Sequence, residues 1–365
     1  MRTLHDGREA TIPEATDVGS AAQVSPTVRM MQLLYSSLVT QLVAVAAELG
    51  LADLVAAEPR PIDELAAATG TLPDPLYRAM RALASQGVFT EVSRRTFGLT
   101  PLAATLCTGA TGSLRDSARY FGVRARQHAF TELAYSLRTG RSAFDHLHGT
   151  DWYSYLAAHP AERGVFADAM GNVARQVHAA AIEAYDLSDV RRLVDVGGGH
   201  GHLVATLLRR YSGMRAVVFD RPEVVAGADR VLIEAGVRDR ADLLGGDFFA
   251  GVPAGADAYV LSWVLMDWDD PESIALLSAI RKAAEPSGKV LVLNSVLPEG
   301  DAPHPGKLTD IVMLALLHGR ERTEAEFVAL FEAAGLCHVE TRPTSSPTSV
   351  LVAAPPRPER LASIA

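Results

Sequence analysis

Cysteine is almost absent from this chain, with two in 365 residues. Cys107 and Cys337 stand far apart and outside any metal-ligand spacing. That excludes a disulfide framework and a zinc finger, and it suits a reducing cytoplasm. Positive charge is also scarce. Lys and Arg number 34 against 43 Asp and Glu, for a net charge of −9, and no Lys/Arg-rich block occurs. A nucleic-acid partner is therefore not expected on electrostatic grounds. No uninterrupted apolar run reaches the length of a membrane span. The N-terminal stretch is polar and acidic, unlike a signal peptide. The chain does have length and apolar residues, at 48% hydrophobic. Two domains and a large core are expected, in a soluble cytoplasmic protein with no membrane partner.

The most informative stretch also lacks something. Leu193-Val194-Asp195-Val196-Gly197-Gly198-Gly199-His200-Gly201 runs from an apolar segment through an acid into glycines, and Leu203, Leu207 and Leu208 follow at helical spacing. This reads as a buried strand, a tight turn and a helix start. No Lys-Ser/Thr follows the glycines, so it is not a phosphate-cradling P-loop. The G-x-G-x-x-G dinucleotide pattern is incomplete as well. An acid directly before the glycines repels phosphates and suits a ligand with a cationic end, such as S-adenosylmethionine.

The rest of the chain divides around this turn. Residues 1–25 read as a flexible tail that can serve as an arm over a partner subunit, and 356–365 as a second tail. Val28 to Leu54 is too apolar for one exposed helix face. It is either a core helix or a surface packed on a second copy of the chain. Within 26–112, Ile62, Leu65 and Ala66 mark a short helix stopped at Gly70. Asp74-Pro75 reads as the N-cap and first residue of the next helix, which ends near Gly87. Two strands around Ser93-Arg94-Arg95 complete a winged-helix pattern. Its second helix offers only Arg78 and Arg81 as cations, so a dimerisation role ranks above DNA binding. Residues 113–185 read as a helical linker whose aromatics and polar tips suit a small-molecule pocket. From 186 to 355, strands alternate with helices: Leu193–Val196, Ala216–Phe219, Asp242–Leu244, Ala258–Ser262, Lys289–Asn294, His338–Glu340 and Ser349–Ala353. That alternation implies a mainly parallel, doubly wound sheet with ligands at the strand C-terminal ends. Thr323-x-x-Glu326 reads as a capping box opening a helix over Ala325–Gly335.

Acids recur where a nucleoside ligand needs them. Asp220 ends the second strand and can take both ribose hydroxyls. Gly246-Asp247-Phe248-Phe249 follows the third strand, where an acid beside aromatics can bond and pack an adenine. Asp267-Trp268-Asp269-Asp270 follows the fourth. With Gly319-Arg320-Glu321-Arg322-Thr323, these landmarks give a chain that resembles the S-adenosylmethionine-dependent O-methyltransferases of plant phenolic and bacterial polyketide metabolism, over roughly residues 27–355. The resemblance implies an α/β fold, with a doubly wound, mostly parallel Rossmann-like methyltransferase sheet. It also implies an N-terminal, mainly helical winged-helix dimerisation domain, a homodimer and a small-molecule acceptor. Asp195, Gly197 and Gly199 then hold the methionine end of the donor, Asp220 its ribose, and Asp247 with Phe248 its adenine. Ser262 is added to the donor site.

The family's proton-transfer apparatus is altered here. Its catalytic histidine falls at Met266, and a thioether accepts no proton at neutral pH. A carboxylate that usually orients that histidine falls at Asn294. The third position is kept as Glu321. Asp267 completes the catalytic candidates. Phe121, Arg124, His128, Met170 and His318 are the acceptor-pocket candidates. No metal site is expected, although Asp267 with His318 is an option if an enolate is stabilised. The leading expectation is O- or C-methylation of a small secondary metabolite through positioning rather than a histidine base. The alternatives are a non-methylating reaction (hydroxylation, decarboxylation or pericyclic) on the same fold and a non-catalytic partner subunit.

Overall fold

The computed structural model describes residues 25–284 and 288–356. The tails expected at 1–25 and 356–365 lie, apart from Ser25 and Pro356, outside the described residues. The chain divides into a short unit, Met1–Val39, and a large one, Thr40–Ala365.

In the short unit the described residues form the first part of the helix Pro26–Glu48. Ser25 caps it, with its hydroxyl accepting from the Val28 N–H at 3.3 Å, and Pro26 occupies the first turn, where its missing N–H costs nothing. Val28, Met30, Met31, Leu33, Leu34, Tyr35 and Leu38 are exposed. Further along the same stretch, in the large unit, Ala46, Leu51 and Ala52 are core residues, so the core-helix expectation holds for that part only. By length and composition Pro26–Glu48 is apolar enough to cross a membrane. A reading restricted to uninterrupted runs passed over it because Arg29, Gln32 and the Ser36-Ser37 pair break the run.

The large unit starts with the expected winged helix. Strand β1 (Arg60–Pro61), helices Ile62–Thr69 and Pro73–Ser85, β2 (Phe89–Ser93) and β3 (Thr96–Leu99) form an antiparallel sheet in the order β1-β3-β2. Gly70 ends the first helix in a left-handed conformation, which only glycine adopts without strain. Ile62, Leu65, Met80, Leu83, Phe89 and Phe97 form the core. One boundary differs from expectation. The second helix begins at Pro73, and Leu72 at its N-cap has no side-chain bond. Asp74 instead accepts from Arg95 in the wing turn at 3.0 Å.

After the wing and the short helix Pro101–Ala104 come six further helices: Arg115–Phe121, Arg124–Thr131, Leu133–Thr139, Ala143–His148, Trp152–Ala158 and Pro160–Ala184. Gly140 and Gly149 stop two of them. They enclose an aromatic cluster around Tyr120, Phe144 and Trp152 that also takes in Leu316.

The main sheet contains β4 (Arg192–Val196), β5 (Arg215–Asp220), β6 (Ala241–Gly245), β7 (Ala258–Ser262), β8 (Lys289–Leu297), β9 (Arg322–Thr323), β10 (Cys337–Pro343) and β11 (Thr348–Ala354). Its order is β10-β11-β8-β7-β4-β5-β6, with β9 pairing the end of β8. All pairs are parallel except β10·β11 and β11·β8. Apolar cores fill both faces, which is why β4, β5 and β7 read as continuous hydrophobic runs. Strand order reverses between β4 and β7, so the ligand crevice opens at their C-terminal ends. The capping box forms, with Thr323 and Glu326 bonding each other's backbone N–H, and the helix it opens is Glu324–Ala333. Strand β9 escaped the sequence reading because two residues carry no period.

Candidate active site

At the end of β4 the chain must turn sharply without a side chain in the way. Gly197 has φ 73°, and a Cβ there would stand 2.7 Å from Val264 Cγ2. The Gly197 and Gly198 N–H groups bond the Phe219 carbonyl at 2.8 and 3.2 Å, and the Gly199 N–H donates to Asp220 Oδ2 at 2.8 Å. The turn is thereby fastened to β5. Asp195 lies below it, 1% exposed, with Oδ1 lacking any partner. Burial, and then the Asp220 charge, push its pKa up to about 7. A buried acid with a free oxygen beside a glycine turn is built for a ligand that brings a positive charge.

The ends of β6 and β7 meet in aromatics. Asp247 is exposed and accepts from the Phe249 N–H at 2.9 Å. The rings of Phe248 and Phe249 stand edge-on to Trp268 at 5.8 and 4.8 Å. Ser262 closes β7, and its hydroxyl lies 3.0 Å from His178 Nε2. His178 is buried with Nδ1 unpartnered. Burial and the neighbouring His202 lower its pKa to about 3, so it is neutral. His178 carries no local signal, because it comes from the helix Pro160–Ala184, far from the motif in sequence.

After β7 the backbone is forced into an unusual path. Trp263 has φ 56°, a conformation that a bulky residue adopts only under strong constraint. A single turn of 3₁₀ helix, Leu265–Asp267, follows. Arg322, 1% exposed, clamps that turn. It donates to the Leu265 carbonyl at 2.9 Å, the Trp268 carbonyl at 3.0 Å and Asp270 Oδ1 at 2.7 Å. Gly319 lies so close that a Cβ on it would overlap the Met266 carbonyl. The Gly-Arg-Glu-Arg-Thr run thus holds the Met266 turn through its glycine and its second arginine. The sequence marked this run as a landmark and as the source of Glu321, with no sign of the clamp.

Met266 is buried. Asp267 is half-buried and accepts from the Tyr153 hydroxyl at 2.7 Å. Burial raises its pKa to about 7 against the opposing effect of that bond. Burial and the Asp267 charge hold the Tyr153 phenol well above its usual range, so it stays protonated. Glu321, 2% exposed, accepts from Asn294 Nδ2 at 2.7 Å. Its own N–H donates to Asp310 Oδ1 at 2.8 Å. Burial and the Asp310 charge bring its pKa to about 8, opposed by Asn294. Asn294 and Glu321 thus form a buried pair.

The acceptor candidates fare unevenly. Met170 packs into the aromatic cluster. Phe121 is 45% exposed. Arg124 and His128 are both exposed and 3.4 Å apart on the outer face of their helix. The inward residue between them is Arg126, because positions two apart on a helix point to nearly opposite sides. The His318 side chain bonds Asp145. It is exposed and its Nε2 lies 2.9 Å from Asp145 Oδ2. Among the described residues no group of three or more His, Cys, Asp and Glu could hold a metal.

A family profile described as an O-methyltransferase domain matches residues 130–337, and one described as an O-methyltransferase dimerisation domain matches residues 31–109. The chain is 42% identical over 340 residues to phenazine O-methyltransferase PhzM of Lysobacter antibioticus, covering 93% of this chain and 99% of that one. The crystal structure of LaPhzM matches with a TM-score of 0.86 at 43% identity, over 91% of this chain and 100% of that one. An O-methyltransferase from neocarzinostatin biosynthesis, solved with S-adenosyl-L-homocysteine and 1,4-dihydroxy-2-naphthoic acid, matches with a TM-score of 0.77 at 33% identity, over 92% and 100%. S-adenosylmethionine, with its ammonium and sulfonium, is a ligand of the charge that buried Asp195 lacks. The dimerisation profile covers the winged helix and the other covers most of the sheet, and so the chain belongs to the S-adenosylmethionine-dependent O-methyltransferases.

Proposed function

We propose that this enzyme methylates a hydroxyl of a small aromatic secondary metabolite, with Asp267 in place of a histidine base. The bound donor supplies an electrophilic methyl carbon on its sulfonium. Asp195 takes the donor's ammonium, Asp220 its ribose, Asp247 and Phe248 its adenine, and Ser262, held by His178, its methionine side. Gly197 and Gly199 let the backbone approach. The bond from methyl to sulfur breaks as the bond from methyl to the acceptor oxygen forms, and the hydroxyl proton passes to Asp267. Met266 and Asn294 supply apolar and neutral walls, and Glu321, protonated below about pH 8, adds no negative charge at neutral pH.

The observation that carries this reading is the Asp267–Tyr153 pair at 2.7 Å. A carboxylate with a pKa near 7 is matched to proton abstraction at neutral pH. Tyr153 fixes its orientation. Proximity to the donor supplies the rest of the rate. Phe121 and Met170 line the acceptor's approach, and Arg124, His128 and His318 stay on the rim. The enzyme works as a cytoplasmic homodimer, in which a second copy covers the exposed apolar face of the helix Pro26–Glu48, without nucleic acid or membrane. Support for that comes from the exposed side chains themselves and from the dimerisation profile that begins at residue 31.

The test is the pH dependence of kcat/KM for the acceptor, measured with labelled donor held saturating at every pH so that Asp195 does not contribute. The wild-type rate should rise with pH through a midpoint near 7 and level off, as Asp267 loses its proton. Asp267→Asn should lower the plateau about a hundredfold and flatten the profile. An unchanged midpoint in Asp267→Asn would remove Asp267 as the base.

A further inference from the structure

Two arginines are buried among the described residues, and they are built differently. Arg322 is fully provided for, with Asp270 and two carbonyls. Arg126, 3% exposed, has none of that. Its guanidinium carbon stands 4.2 Å from the Phe121 ring centre and 5.0 Å from those of Tyr120 and Phe130. Its Nε is buried without a partner. Among the described residues no carboxylate acts on it, and the Tyr120 phenol oxygen, which accepts a hydrogen bond from the guanidinium, is the one group that offsets its burial. Aromatic faces return part of the lost hydration, but a buried cation without an anion is left far from its best state. The fork edge that includes Nε–H has the geometry that a carboxylate fills with two parallel bonds.

The location connects this charge to the chemistry. The Tyr120 ring packs on Phe166 at 5.5 Å, and Phe166 on Tyr153 at 6.4 Å. Tyr153 bonds Asp267, and the Asp267 charge is felt at the Tyr120 phenol. A continuous aromatic wall thus runs from the proton acceptor to a cation that lacks its counterion. A flat acceptor lying along that wall would present a hydroxyl at one end and an anionic group at the other.

We propose that Arg126 anchors a carboxylate on the acceptor, so that the preferred substrates are hydroxylated aromatic acids. This rests on the reading of the protein as a methyltransferase with Asp267 at the reacting end. Arg126 is a specificity residue and touches neither the methyl group nor the proton in flight. The free enzyme carries the unpaired charge in its core, and the substrate neutralises it.

The experiment uses the full-length enzyme saturated with S-adenosylhomocysteine. Calorimetry measures the binding of 4-hydroxybenzoate and 6-hydroxy-2-naphthoate against their carboxamides. Wild type should prefer at least one acid over its amide by about thirtyfold or more. Arg126→Met should abolish that preference and leave amide and donor affinities unchanged, while the melting temperature of the free enzyme rises because a buried charge has been removed. Arg126→Lys should keep part of the preference. Equal affinity of wild type for every acid and amide overturns the proposal. So does a fall in melting temperature with equal loss of acid and amide, which marks a structural prop. Weakened donor binding in Arg126→Met would identify the donor's own carboxylate as the counterion, and dissociation of the dimer would place it on the partner; either result overturns the proposal. The methyltransferase reading fails separately, if labelled donor marks no product from any acid or amide although acid binding still depends on Arg126.

Discussion

The two ends of this site are built from different materials. The donor end is mostly backbone: three glycines with positive φ, N–H groups tied to the Phe219 carbonyl and Asp220, and one acid beneath them. The reacting end is mostly side chains brought from distant segments. Tyr153 reaches Asp267, Asn294 reaches Glu321, and Arg322 reaches back to Leu265 and Trp268. Local geometry fixes the first, so it tolerates little change in its own sequence. Packing fixes the second, so its chemistry can change while its frame stays. Met266 and Asn294 fit that division, since both sit where chemistry is decided and neither disturbs the clamp.

If the frame and the chemistry are separable in this way, the largest effect should come from the frame. Arg322→Met leaves two buried carbonyls and Asp270 without their donor, and should cost about 3–5 kcal/mol of stability. Thermal denaturation measures it, and a change below about 1 kcal/mol would mean that the Met266 turn holds itself.

Asp195→Asn tests the donor end and should show opposite effects on binding and stability. Donor affinity, measured by calorimetry, should weaken about tenfold to a hundredfold. The folded pKa of Asp195 is raised to about 7, above its unfolded value. The folded state therefore holds an extra proton between about pH 4 and 7, and wild type loses stability as pH rises through that window. Asp195→Asn avoids this loss, so its melting temperature should overtake that of wild type increasingly from pH 5 to pH 8. Wild-type donor affinity should rise over the same window as the acid ionises. A melting-temperature gap independent of pH would show that Asp195 does not titrate there.

The smallest effect is expected at the reacting end. Met266→His places an imidazole beside Asp267 without touching the Arg322 clamp. Turnover of simple phenols should rise about tenfold, with little change in melting temperature. A loss of stability comparable to that of Arg322→Met would show that chemistry and frame are not separable at this turn.

The sequence by itself determined the glycine turn with the acid before it and the layer architecture. Gly197, Gly199 and Asp195 are legible because a turn, a close approach and an acid are properties of neighbouring residues, and the sheet is legible because buried parallel strands read as apolar runs. Tertiary structure alone decided what surrounds the reacting groups. Nothing local shows that His178 meets Ser262 or that Tyr153 meets Asp267, since each pair joins the Pro160–Ala184 or Trp152–Ala158 helix to the end of β7. His318 illustrates the converse: it stands beside the right motif in sequence, yet bonds Asp145 and not Asp267. Arg126 is the sharpest case. It lies between two residues that the family resemblance favoured, and only the burial of one helix face shows which of the three points inward, because burial is set by what packs against the helix and not by the helix itself.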